Sequence, residues 1–532
     1  MTALSRFLET QTTECSALTK TVALAQWEAS THASPENDQR LADGLNAIRT
    51  WSSDRVRYKM LCELMTHDTT GMKDPLVVRQ AVLLRNDLRG NQVTADLLAH
   101  MSALEVQLTS AFSKFRATVN GETVSNNDLT DLLRTHEDAE VRREAWEASK
   151  QIGVEAAPLV LDLAGVRNSA AVQVGFANYY AMQMELQEID NVELSALFTE
   201  LEQASAPAWE RTKHDLDARL SVRFHTPAEQ LQPWHYADPF FQDAPPSSLN
   251  LDQYFKDKDL VALTAGYYKT VGMPVDDVIA RSDLFERAGK DQHAFCTSID
   301  RAGDIRALCN VRSNARWMDT TLHEFGHAVY DKYIDRDLPW LLRTQAHIFT
   351  TEAIAILEGN LVSEASWLSR YAGVAEHEAT IRQSELRAEL ATAGLIFSRW
   401  VFVMTQFERE LYTNPLQDLN ALWWNLVERH QNVRRPVGRV APDWASKIHL
   451  GVAPVYYHNY LLGYMAAAQL RDHIVANICA GSEARYVSDP AVGEYLIEYC
   501  FKPGATRDWR GWLTHATGGA LSAQAYARRL SS

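Results

Sequence analysis

Apolar residues in this chain recur with the period of an α-helix far more often than with that of a strand. Leu97, Met101, Leu104, Leu108, Ala111 and Phe115 step by 4, 3, 4, 3 and 4 residues. Leu159, Leu163, Val166, Ala170 and Val174 step in the same way. Each set forms one stripe along a helix, a surface that must be hidden against a neighbour. Alternating runs are few and short, and only 17 prolines interrupt 532 residues. Several of those prolines cluster in LQPWHYADPFFQDAPPSS (231–248) and RRPVGRVAPDW (434–444), which read as irregular segments. With no repeat and no low-complexity linker, the expected fold is mainly α. It is read as one domain over 1–532, with a mostly helical N-terminal part (1–290) and a part carrying the chemistry (291–532).

Hydrophobic residues at 46% and charged residues at 23% exclude a disordered chain or a disulfide-stapled mini-protein. Lys and Arg number 52 against 68 for Asp and Glu, a net charge of −16 that repels phosphate backbones and argues against nucleic acid as a partner. The six cysteines are scattered, with no C-x-x-C pair, and fit reduced thiols. The first 20 residues show no secretory signal pattern, and no uncharged apolar run approaches the ~18–20 residues that span a bilayer. A cytoplasmic protein without a membrane partner is expected.

The sharpest local signal is TLHEFGHAVY. His323 and His327, four apart, lie one above the other on a helix, so both imidazoles can reach one ion while Glu324 approaches its water. A catalytic zinc site needs three protein ligands and an open position. Glu352, in FTTEAIAILEGN, lies in what reads as the next helix and supplies a carboxylate. Two His and one Glu suit a single Zn2+, with cobalt and manganese also chemically acceptable. The metzincin pattern is excluded, because Tyr330 and Tyr333 stand where it needs Gly and His. A second cluster, KIHLGVAPVYYHNYLLGY, brings Lys447, His449, Tyr457 and Tyr460 into 18 residues. A neutral Tyr and a His are suitable donors to the oxyanion of peptide hydrolysis, although an aromatic core face has the same look.

These motifs resemble the angiotensin-converting-enzyme-like peptidyl-dipeptidases, zinc metallopeptidases of the gluzincin type, and more distantly the thimet-type oligopeptidases. The resemblance is carried by DLPWLLRTQAHIFTTEAIA, by ALWWNLVERHQ with RRPVGR, by DWASKIH before the Tyr-x-x-Tyr element, and by the tail FKPGATRDWRGWLTHATGGALSAQAYARRL. It is specific from about residue 290 onward; GFANYY (175–180) fits the wider superfamily. It implies a helical two-lobed body with a deep central cleft and a small β element near the zinc site. It further implies His323, His327 and Glu352 as zinc ligands, Glu324 as general base, and Tyr460 with His449 as oxyanion donors. His293 and Ala294 would hold an extended peptide at an edge strand, and Lys447 and Tyr457 would hold its C-terminal carboxylate. The implied activity is hydrolysis of short peptides, with dipeptide release from the C-terminus.

The match departs from the family at several positions. The glutamine that shares the carboxylate grip falls at Tyr236, which weakens strict dipeptide release. The chloride-binding arginines fall at Asn459 and Val427, so little chloride activation is expected. The aspartate that backs the zinc histidines falls at Ile356, leaving Asp331, or less favourably Glu358, for that role. Alternative readings are an oligoendopeptidase, an amide hydrolase with another substrate, and a metal-bearing binding protein without catalysis.

Overall fold

Most helices begin where the sequence supplies an acceptor for their unpaired N–H groups. Ser34, Asp54, Asp74, Asp190 and Asn314 each cap the helix that follows with a side-chain oxygen, and Pro35 and Pro75 occupy first turns where no N–H is needed. Each cap stabilises its helix by about 1 kcal/mol. The computed structural model describes all residues except Asn120, Ser247, Ser248 and Ser532. Those residues build a mainly α protein with two antiparallel hairpins, β1 (Ala117–Val119) with β2 (Glu122–Val124) and β3 (Phe295–Ser298) with β4 (Ile305–Leu308). The last two positions of the irregular 231–248 segment lie outside the described residues.

The chain divides into two compact units. The first comprises 1–92, 249–387 and 462–526. Its N-terminal helices bury Leu4, Leu8, Trp51, Leu61, Ala81, Leu84 and Leu88 in one cluster with Leu341. Its centre is a pair of packed helices, Ala315–Tyr333 and Ile348–Gly359, with β3 and β4 against the former. The short β element therefore lies against the helix that carries His323, as expected.

The second unit comprises 93–248, 388–461 and 527–532. Helices Ala95–Lys114 and Ile152–Gln173 pack together. On the second, the buried stripe is Ile152, Ala156, Val160, Leu163, Ala164, Arg167 and Ala170, while Leu159 and Val166 are only half-buried. The stripe read from apolar residues alone is rotated from this one because Arg167 is inside it. The Arg167 guanidinium donates to Glu105 at 2.8 Å, to the Gly451 carbonyl at 2.6 Å and to the Tyr412 hydroxyl at 3.2 Å. The proline-rich segment is pinned by Arg142, which donates to the carbonyls of Trp234, His235 and Tyr236. Among the described residues, one helix, Glu376–Thr413, is long and apolar enough to cross a bilayer, and 67% of its most apolar window is buried, as in a core helix.

Candidate active site

In the first unit, helix Ala315–Tyr333 presents His323 and His327 on one face with ring centroids 4.9 Å apart. The neighbouring helix Ile348–Gly359 brings Glu352 to them, with its Oε2 3.8 Å from His323 Nε2. One ligand atom from each of the three lies within 4.8 Å of the others. Zinc holds N and O donors at about 2.0–2.2 Å, so ligand atoms some 3–4 Å apart fit a shared ion. The approach depends on Gly326, inside the H-E-F-G-H motif. A Cβ there would stand 2.8 Å from the Ala355 Cα, so any side chain would wedge the helices apart. Gly463 does the same for a third helix, where a Cβ would meet the Glu352 Cβ at 3.2 Å.

Burial sets the charges of this cluster. It drives His323 down to about 4, and His327 to about 3 with the His323 charge adding to the effect. Both imidazoles are therefore neutral, the form that ligates metal. Burial pushes Glu352 up to about 7 and, helped by the Glu352 charge, Glu324 up to about 8. Two buried carboxylates without a cation are unfavourable, and a divalent ion at this place relieves both. The donor set fits zinc on these grounds.

The backing of the histidines differs from expectation. His327 Nδ1 pairs with the Thr351 hydroxyl at 2.8 Å, leaving Nε2 for the metal. Asp331 instead accepts from Gln345, and Glu358 accepts from the Tyr267 hydroxyl at 2.6 Å. The signal for Thr351 was available: a hydroxyl immediately before the ligand in T-T-E. The Tyr268 hydroxyl donates to the Leu322 carbonyl at 2.8 Å, beside the first histidine.

The second unit gathers a different cluster. Lys447 is 8% exposed, and its ammonium donates to the Gln242 side-chain oxygen at 2.7 Å. It sits 5.2–5.7 Å from the ring centroids of Phe240, Trp400 and Tyr457. Burial lowers its pKa to about 8. The His449 ring lies 5.2 Å from Tyr457, which lies 5.7 Å from Tyr460. His449 is driven to about 4 by burial and then by the Lys447 charge, and its buried Nδ1 has no hydrogen-bond partner among the described residues.

Known families agree with both halves. Residues 1–210 match the family model described as angiotensin-converting enzyme (Peptidase M2), and residues 279–531 match that of peptidase family M3. No curated protein matches the chain. Both families are zinc metallopeptidases of the gluzincin type, and the chain is accordingly a zinc metallopeptidase, a hydrolase of peptide bonds. Each matched family covers the part of the peptidase in which the other is silent, so the catalytic motif falls within the M3 match.

Placing the remaining candidates corrects one alignment. The Tyr236 hydroxyl is committed elsewhere in the peptidase, donating to Asp217 at 3.0 Å and accepting from Lys213 at 2.9 Å. The glutamine beside Lys447 is Gln242, six residues further along the same segment, which sequence reasoning missed. Asp238 fixes the turn that delivers it, accepting the N–H groups of Phe240, Gln242 and Asp243. His293, exposed, and Ala294 lie just before β3, whose outer edge no other described strand covers. Asn459 donates to Gln187 at 3.0 Å. Val427 lines a narrow cavity with Trp146, Lys150, Trp423 and Asp443.

Proposed function

We propose that the peptidase releases dipeptides from the free C-terminus of short peptides. One observation supports this above the others: a buried lysine among three aromatic rings, with Gln242 spending one of its three N–H donors. A buried ammonium calls for an anion, and a peptide C-terminal carboxylate matches its remaining donors. Tyr457 lies alongside and can add a hydroxyl donor.

His323, His327 and Glu352 would hold zinc, which when bound supplies a Lewis acid that lowers the pKa of water to about 7. Glu324 accepts the proton of the attacking water and passes it to the leaving amine. By the family resemblance, Tyr460 and His449 would be donors to the oxygen that becomes anionic; one such donor contributes ~10²–10³ in rate. His293 and Ala294 offer polar groups to an extended peptide laid along the open edge beside β3. The six unpaired thiols support a reducing, cytoplasmic location, which cell fractionation tests.

The test is product mass analysis on matched peptides with free and amidated C-termini. Free acids should lose dipeptides successively, and amides should be poor substrates. Lys447→Met should cost about 2–5 kcal/mol on free acids, a factor of ~30 to several thousand in kcat/KM, and little on amides. Equal internal cleavage of both peptides overturns the proposal in favour of an oligoendopeptidase.

A further inference from the structure

The β3–β4 hairpin carries two cysteines that the catalytic reading does not use. Cys296 in β3 pairs with Ala307 in β4. Cys309 is the residue after β4; Asp283 donates to the Ala307 carbonyl and accepts the Cys309 N–H, which keeps the strand alternation through 309 and makes Cys309 the diagonal neighbour of Cys296. Such neighbours have Cα atoms about 7–8 Å apart and Cβ atoms closer. Two Cβ–Sγ bonds turned inward can span that gap around one large, soft atom. The hairpin packs on helix Ala315–Tyr333. Both thiols lie within electrostatic reach of the Glu324 carboxylate, and Cys296 also of Cys309 and Asp331.

The two thiols differ in accessibility. Cys309 is fully buried, and its backbone is fixed: its N–H donates to the Asp283 carbonyl at 2.9 Å, and its carbonyl accepts from Lys290. Cys296 is only half-buried as a residue. Burial raises the pKa of both, so neither is a reactive thiolate, and slow alkylation is expected. A thiophilic centre needs no preformed thiolate, because its bonding displaces the proton.

We propose that Cys296 and Cys309 form a dithiol site for a soft, thiophilic centre of the kind represented by Cu+, and that filling it inactivates the enzyme. A cation joining two sulfurs releases both thiol protons and forms two S–metal bonds. Trivalent arsenic has the same chemistry: phenylarsine oxide forms two As–S bonds, and its oxygen leaves with the two protons as water. Either centre ties β3 to the residue that follows β4 within electrostatic reach of Glu324, and takes none of its bonds from the His323, His327 and Glu352 donors.

The probe is phenylarsine oxide on the full-length, zinc-loaded protein. One equivalent should bind, with peptide mapping placing the bridge between Cys296 and Cys309. Peptide hydrolysis should fall at least about tenfold while zinc content stays constant. Ethanedithiol should restore activity, and a monothiol should not. Cys296→Ser and Cys309→Ala should each stay near parental activity and lose the inhibition; if Cys309→Ala does not fold, Cys296→Ser carries the test. Adduct at other cysteines, an adduct without inhibition, undiminished inhibition in Cys296→Ser, or zinc loss in step with inhibition overturns the proposal. The mass readout is independent of substrate choice, so failure of dipeptide release leaves this test intact.

Discussion

Around His323, His327 and Glu352, burial leaves two imidazoles neutral and raises two carboxylates, so that region gains by taking up a cation. Around Lys447, burial among aromatic rings lowers an ammonium to about 8 against the pull of the Asp238 and Asp243 charges, so a further anion would favour its charged form. The same physical cost, desolvation of charge, is set to opposite signs at the two places. The proposed release of dipeptides would draw on both, a cation for the scissile carbonyl and an anion receptor for the terminus. The two regions also differ in how they are built. Two of the three metal donors come from one helical turn, whereas Lys447 and Gln242 are 205 residues apart in sequence.

The largest effect expected from separating these roles is at Glu324. Glu324→Gln should lower kcat by ~10²–10⁴, the usual contribution of a positioned acid–base group, while zinc content and KM for free-acid peptides change little. Metal analysis beside steady-state kinetics checks it. Full turnover in Glu324→Gln would remove the carboxylate from the mechanism and leave the first region a metal holder only.

Next is the backing of His327. Thr351→Val removes the hydroxyl at 2.8 Å from His327 Nδ1 and should weaken zinc affinity 10–100-fold, the usual cost of losing such a partner. Competition against a chelator measures it, and kcat at saturating zinc should stay close to parental. Asp331→Asn should have a smaller effect on affinity, since Asp331 is held by Gln345.

This contrast shows where sequence was sufficient. The i, i+4 histidines, the next helix and the mainly α architecture follow from helical periodicity, because one geometric repeat relates residues close in sequence. Gln242 was missed, and Tyr236 stood in for it, because the turn that aims Gln242 depends on Asp238 accepting three N–H groups in a segment without periodicity. The stripe on helix Ile152–Gln173 was rotated for a related reason. Arg167 is buried, since its guanidinium finds three oxygen partners, and hydrophobicity does not mark it.

The pH dependence distinguishes the two regions by substrate. Lys447 is an ammonium below about 8 and neutral above it, so kcat/KM for free-acid peptides should fall as pH rises through about 8, approaching tenfold per unit. Amidated peptides, which do not need the charge, should show a flatter alkaline limb. Ratios of kcat/KM for the two peptides across pH 6–10 cancel any titration that both substrates share. A ratio independent of pH would take Lys447 out of carboxylate recognition.

The smallest expected effect is that of chloride. The cavity lined by Val427, Trp423 and Trp146 already has a lysine in its wall, Lys150, whose ammonium nitrogen stands 3.4 Å from the Phe240 ring centroid. Burial lowers Lys150 to about 7, while the Asp443 charge and, less strongly, the Asp238 charge favour its ammonium. Asp443 also takes the Arg439 guanidinium and, at 3.1 Å, the Trp424 indole N–H. A carboxylate built into the chain thus supplies the negative charge that a bound anion would otherwise bring, and the positions at Val427 and Asn459 add no positive charge. Titrating chloride from zero to physiological levels at constant ionic strength should change kcat/KM less than about twofold. Asp443→Asn removes the larger of the two negative charges acting on Lys150, together with the partner of Arg439, and should make the enzyme respond to chloride. Strong chloride activation of the parent protein would mean that Asp443 does not neutralise this group of cations.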